Sequence, residues 1–280
     1  KYTGRALGIA SVGVSFAGFV FPNLTSFLLG DLGLTWREAY LLFGVLIILI
    51  NIPVVYLFIV NKPSDINQMP DGEEITDNAE DTSGIDWTIT ELLKDKNFWI
   101  LSLVFAIQFC SMMGILSHLT FFSEGAGWSL SWGAFIFSMY AWPAMFSKVF
   151  FGWLVENKMD ARIAVSIAIL IQAIATLLMI FVESPEQMVV LVMIFGFGGG
   201  SALPLSNILF NQAYTNKSFG KARGAAQPFI SIFQISGTLV AARMFDVFGN
   251  YELAFLTLGF ILIIPIIAIW FMKIESKLTS

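Results

Sequence analysis

Residues 132–162 read WGAFIFSMYAWPAMFSKVFFGWLVENKMDAR, an apolar run long enough to cross a bilayer, with one lysine, Lys148, set well inside it. A charged side chain at the centre of a membrane helix costs roughly 2.5–3.5 kcal/mol on insertion scales, so such residues usually face a protein interior, a pathway or a substrate. Lys148 lies about 9 Å from the middle of its run if six residues rise 1.5 Å each. The plainer reading is a lysine that snorkels toward the nearer headgroups. The sharper one is a cation that faces a cavity.

The rest of the chain has the same character. Of 280 residues, 57% are hydrophobic and 12% charged, with 28 Phe, 8 Trp and a mean hydropathy of +0.78. A water-soluble domain of this length would not carry that balance, so the chain reads as a polytopic membrane protein. The net charge of −5 says little about partners, because ten of the twenty acids fall between Asp65 and Asp95. Neither a nucleic-acid partner nor an acidic surface follows from it. One cysteine, Cys110, and one histidine, His118, provide neither a disulfide framework nor a metal site, and no cofactor is expected. The chain opens at Lys1 without a signal-peptide pattern and enters an apolar run at once, which we take as a fragment lacking an upstream part.

About 20 apolar residues make a membrane helix. Eight such spans are expected, at residues 6–29, 38–60, 98–122, 131–154, 161–182, 188–210, 224–245 and 252–272. The connections are short and polar, among them 30–35, 124–129, 183–187 and 211–221. Only 61–97 is long. Its PSDINQMPDGEEITDNAEDTSG is acidic and free of aromatics, as solvated linkers are. The expected organisation is therefore two spans (1–60), a central loop (61–97) and six spans (98–280).

Lys and Arg collect on the cytoplasmic side of short loops. With the linker placed there, twelve of the fifteen cations share that side, Arg37 and Arg243 lie opposite, and Lys148 is buried. An internal repeat supports an ordered bundle: Arg5-Ala6-Leu7-Gly8 is matched by Arg223-Gly224-Ala225-Ala226, and Ala39-Tyr40 with Gly44 by Ala254-Phe255 with Gly259. Six spans separate the copies. That spacing fits a parallel repeat of six-helix units, as in two-half secondary transporters, and implies four further helices upstream.

Several motifs carry a resemblance to the major facilitator superfamily, and within it to the monocarboxylate-transporter and oxalate/formate-antiporter branch. They are Gly4-Arg5-Ala6-Leu7-Gly8-Ile9-Ala10 with Phe21-Pro22 and Trp36-Arg37, then Pro70-Asp71-Gly72-Glu73 with Asp86-Trp87-Thr88 and Phe98-Trp99, then Ser117-His118-Leu119, Phe151-Gly152-Trp153-Leu154, and Asp246 with Gly249-Asn250-Tyr251 and Ala254-Phe255. Their order resembles helices five to twelve of that family, and the central-loop motif resembles its bacterial members. The resemblance implies an all-α major facilitator fold, eight of twelve helices, in a bacterial cytoplasmic membrane. It also implies that the residue four before Gly152, an arginine in carboxylate-transporting members and Lys148 here, meets the substrate carboxylate. Lysine keeps the charge but lacks the bidentate fork. Ala144 stands where some members carry an aspartate, and Glu156-Asn157 where the family has Asp-Arg.

Two polar stripes stand out on otherwise apolar spans. Gln108, Ser111 and His118 share a face of the third span, and Gln227, Ser231, Gln234 and Thr238 share one of the seventh. Lipid gives such groups no hydrogen bonds, so they face protein or water. Each residue singly reads as ordinary interhelical bonding, and His118, near the outer end, as a polar anchor or gate. Together they nominate Gln108, Ser111, His118, Ser231 and Gln234, with Asn207 on the sixth span, as neighbours of Lys148. Gly196, Gly198, Gly199, Gly200 and Pro204 predict a bent, closely packed sixth span, and Arg243 and Asp246 an outer ion pair.

The reading is a secondary transporter, not an enzyme, for a small organic anion, with a coupled proton or counter-anion and the lipid bilayer as partners. An exporter of drugs or other amphipaths, with Lys148 structural, stays open. So does a membrane sensor or lipid-acting enzyme, although one His, one Cys and no deep carboxylate leave few catalytic combinations.

Overall fold

A computed structural model of the protein describes residues 12–59, 86–157 and 159–273. The matched segment 5–8 of the internal repeat, the linker as far as residue 85 and the cation Lys158 lie outside them. Among the described residues there is no strand, and eight helical spans are long and apolar enough to cross a membrane. They are Val12–Asp31, Trp36–Leu57, Lys96–Gly125, Leu130–Glu156, Ala161–Phe181, Pro185–Tyr214, Lys217–Phe248 and Glu252–Phe271, called spans one to eight below. Inner and outer ends follow the charge assignment given above.

Helix starts follow local chemistry. Thr35, Thr88 and Ser184 each cap a helix through a reciprocal box with Glu38, Glu91 and Gln187, satisfying backbone donors that a first turn leaves open. Breaks within spans follow proline. Pro143, Pro204 and Pro265 offer no N–H to the carbonyls of Met139, Gly200 and Ile261, and the helices break there: Leu130–Met139 gives way to Ala141–Glu156, Pro185–Gly200 to the helix from Ala202, and Glu252–Phe260 to Ile263–Ala268. Span three breaks at Ser117-His118 without proline. There the Ser117 hydroxyl donates back to the Met113 carbonyl at 2.6 Å, a bond that bends helices.

One expected loop is corrected. Residues 211–221 are helical, inside a stretch that runs from Ala202 to Phe248. That stretch does not run straight. Arg223 Nε donates to Asn207 Oδ1 at 3.2 Å, whereas sixteen residues of straight helix would hold them about 24 Å apart. The chain therefore folds back sharply between spans six and seven, with helix on both sides of the turn. The end of the linker straps this fold: Trp87 N–H donates to the Ser218 hydroxyl at 2.8 Å, Lys221 pairs with Asp86 at 2.5 Å, and Tyr214 donates to Asp95 at 2.5 Å.

The core lies within spans three to eight and is built in two layers. The inner layer holds Leu101, Phe105, Phe151, Ile169, Phe210 and Ile230; the outer holds Ile115, Ile136, Met188, Phe195, Phe255 and Leu258. Small residues let backbones approach at the crossings. A Cβ on Gly237 would stand 1.9 Å from the Cys110 carbonyl oxygen, one on Gly196 2.3 Å from that of Tyr140, one on Gly200 2.4 Å from Ala144 Cα, and one on Gly198 2.6 Å from the Ala168 carbonyl oxygen. The glycines of span six are thus packing surfaces toward spans four and five. Ala144, 1% exposed, sits in the seam with Gly200, where an aspartate would collide.

Candidate functional site

Lys148 is 5% exposed. Its ammonium donates to the Ser15 hydroxyl of span one at 2.8 Å, across the seam between span four and the first pair of spans. The seam is antiparallel, with Ala141 3.4 Å from a Cβ placed on Gly18, and Phe19 beside Trp142 at 5.8 Å between ring centres. Lys148 therefore points into protein and does not reach back along span four toward the inner surface. Ser15 was not among the expected neighbours. A serine in an apolar run was the available signal.

The other expected site residues separate into three groups. Gln108, 1% exposed, donates to Gln172 Oε1 of span five at 3.3 Å, and Gln172 returns a bond to the Gln108 carbonyl at 3.4 Å. Ser111 is fully buried, and its hydroxyl has no partner among the described residues. Tyr140 and Gln172 flank Gly199 in the same region, making a small polar core between spans three, four, five and six. The sequence reading passed over Gln172, although a lone glutamine in an apolar span marks the same inward face.

On span seven, Gln227 donates to Ser231 at 3.2 Å, and Ser231 and Gln234 are half-buried. Asn207 meets Arg223, whose guanidinium also lies 5.6 Å from the Phe210 ring centre. Arg223, at the expected opening of span seven, stands inside that span, and its Nη1 is buried without a partner among the described residues.

His118 belongs to the outer end. Its Nε2 lies 3.1 Å from the Thr238 carbonyl oxygen and its Nδ1 3.1 Å from the Tyr251 hydroxyl. A carbonyl only accepts, so Nε2 donates to Thr238, and Nδ1 bonds the Tyr251 hydroxyl. Ser117 adds a bond to the Thr238 hydroxyl at 3.1 Å. This knot ties spans three, seven and eight. Beside it opens a depression of about 440 Å³ lined by His118, Phe121, Glu124, Phe245, Asp246 and Tyr251. Burial and the charge of Asp246 push the Tyr251 phenol above its ordinary pKa. The expected Arg243–Asp246 ion pair is not made: among the described residues neither has an ion-pair or hydrogen-bonding side-chain partner, because Asp246 turns to the depression and Arg243 is exposed. No group of three or more His, Cys, Asp or Glu that could hold a metal is found among the described residues.

Comparison with known proteins agrees with this architecture. The fold is similar to that of the E. coli fucose:proton symporter, in a crystal structure of a variant of it, with a TM-score of 0.54 and 16% identity over 66% of this chain. The matched part spans 45% of the symporter's own length. No curated protein sequence matches the chain. The sequence model of the Major Facilitator Superfamily matches residues 1–158 and 131–279, between them almost the whole chain. With eight apolar spans and these matches, the chain belongs to the Major Facilitator Superfamily as an integral, multi-pass membrane protein of a transporter family.

Proposed function

We propose that this chain takes part in secondary active transport of a small organic anion, a mono- or dicarboxylate, by alternating access, with Lys148 as the main charge partner of the substrate and a proton or counter-anion as the coupled species. One observation carries the reading. Lys148 is held inside the bundle, aimed at Ser15 across the seam between its span and the first, where a lysine serving only as a headgroup anchor would extend along its own helix. A membrane-embedded cation kept at this expense is a pathway residue by default. No Asp or Glu lies deep in any of the spans, so the interior favours an anion. Half-buried Ser231 and Gln234 on span seven supply hydrogen-bonding groups along the same bundle. The mechanism is a rocking of two halves about the seam that contains Lys148.

The test is uptake of radiolabelled small carboxylates into proteoliposomes carrying the full-length protein. Lys148→Ala is expected to abolish uptake, and Lys148→Arg to keep part of it, since charge survives while the geometry changes. Carboxylate uptake by the alanine variant at the level of the parent assigns the lysine a structural role and turns the reading toward the export of amphipaths.

A further inference from the structure

We propose that the outer depression between spans three, seven and eight binds a small organic ammonium ion, separately from any anion handled at Lys148. Aromatic rings line it: exposed Phe245 stacks on buried Tyr251 with centres 4.6 Å apart and planes 22° apart, and exposed Phe121 lies beside His118 with ring centres 6.0 Å apart. Two carboxylates, Glu124 from the end of span three and Asp246 from the end of span seven, enter from different helices. Among the described residues neither carboxylate side chain makes a hydrogen bond or an ion pair, and Arg243, one turn before Asp246, does not close over it.

Those features select the ligand's chemistry. The negative faces of aromatic rings and two unneutralised carboxylates attract positive charge, and a diffuse cation gains from both at once. A compact metal ion would need several converging ligands, and no group of three or more His, Cys, Asp or Glu that could hold one is found among the described residues. A carboxylate substrate would be repelled. The volume, about 440 Å³, lies within the roughly 300–1,000 Å³ usual for small-molecule sites. The walls are also fixed in advance. His118, 9% exposed, holds the Tyr251 hydroxyl through Nδ1 and the Thr238 carbonyl through Nε2, so the buried phenol on which the exposed Phe245 ring stacks is already oriented.

The experiment is isothermal titration of tetraethylammonium chloride into the full-length protein in lipid nanodiscs, with sodium chloride at matched ionic strength as the control. Saturable binding is expected for tetraethylammonium and none for sodium. The double variant Glu124→Gln, Asp246→Asn is expected to weaken binding about tenfold or more. Phe245→Leu, which keeps both charges and removes one ring face, is expected to weaken it about fivefold. Arg243→Gln should leave it unchanged. Equal heats from sodium, or an unaltered affinity in the double variant with its thermal midpoint retained, overturns the site. An unaltered affinity in Phe245→Leu reduces it to charge attraction and overturns the aromatic part, and hence the assignment to an organic cation.

Discussion

Spans two and three differ in a direction that hydropathy alone does not suggest. Span two is the more apolar, with a mean hydropathy of 2.5 against 2.0, yet none of its most apolar window is buried inside the protein, whereas 72% of that of span three is. In lipid there is no hydrophobic gain from bringing helices together; association rests on close packing and hydrogen bonds. Span two presents Leu41, Ile47, Leu49, Ile50 and Tyr56 on several sides and meets span one chiefly through the Phe21–Phe43 edge contact at 5.2 Å. Span three carries Ser102, Ala106, Gln108, Cys110, Ser111 and Gly114, small or polar positions that are all buried. Apolarity sets which helices enter the membrane. Within these residues, the span rich in small and polar positions is the one that packs.

The largest expected effect breaks this contrast directly. In the 280-residue chain in detergent, Gly237→Val forces a side chain into the Cys110 carbonyl and should cost roughly 1–3 kcal/mol or more, seen as a lower thermal midpoint and loss of a single size-exclusion peak. Gly44→Val on span two, where a Cβ meets nothing within 4 Å, should stay within about 0.5 kcal/mol of the parent. Similar losses in both would show that the two spans are packed alike.

An effect of similar size is expected at the seam between span one and span four. The Ser15–Lys148 bond has a charged donor, so a double-mutant cycle of Ser15→Ala and Lys148→Met should give a coupling of about 1.5–3 kcal/mol. A coupling near zero would separate span one from span four.

The smallest lies outside the membrane. Asp160 accepts from Arg162 Nη2 at 2.5 Å, and this bond holds its carboxyl below the usual carboxylate range. A carboxyl depressed on folding contributes stability that is present above its unfolded value, about 3.9, and is lost as pH falls through the folded one. The pair is partly exposed, so Asp160→Asn should cost no more than about 1 kcal/mol at neutral pH, and the cost should shrink as pH falls through the folded value. A cost that does not change on acidification would point to the helix cap instead of the charge.

Most of the fold was legible because a membrane span is written in length and composition. Eight spans were expected and eight are found among the described residues, with ends shifted by a few residues. Proline made the break in span six readable as well. The turn between spans six and seven was readable, but its helical character was not: residues 211–221 look like a polar loop, and nothing in a local sequence says that helix runs up to the turn from both sides. The site was legible only in part. Lys148 announces itself by charge, whereas its partner Ser15 is a residue of ordinary occurrence in a membrane helix. Gln108 pairs with Gln172 because the two spans cross at that depth, a matter of tertiary geometry. Glu124 and Asp246, 122 positions apart in the sequence, share a depression that no spacing rule relates.

The glycine seam of span six has a mechanical consequence. Where Gly196 and Gly200 lie against Tyr140 and Ala144, the two backbones touch with almost no side chain between them, and there is nothing at that crossing to rotate, slide or repack. The contact holds spans four and six together at the depth where both helices break, at Tyr140 and Ser201. A tilt of the segment from Ala141 onward carries Lys148 with it and is met at the Ser15 hydroxyl.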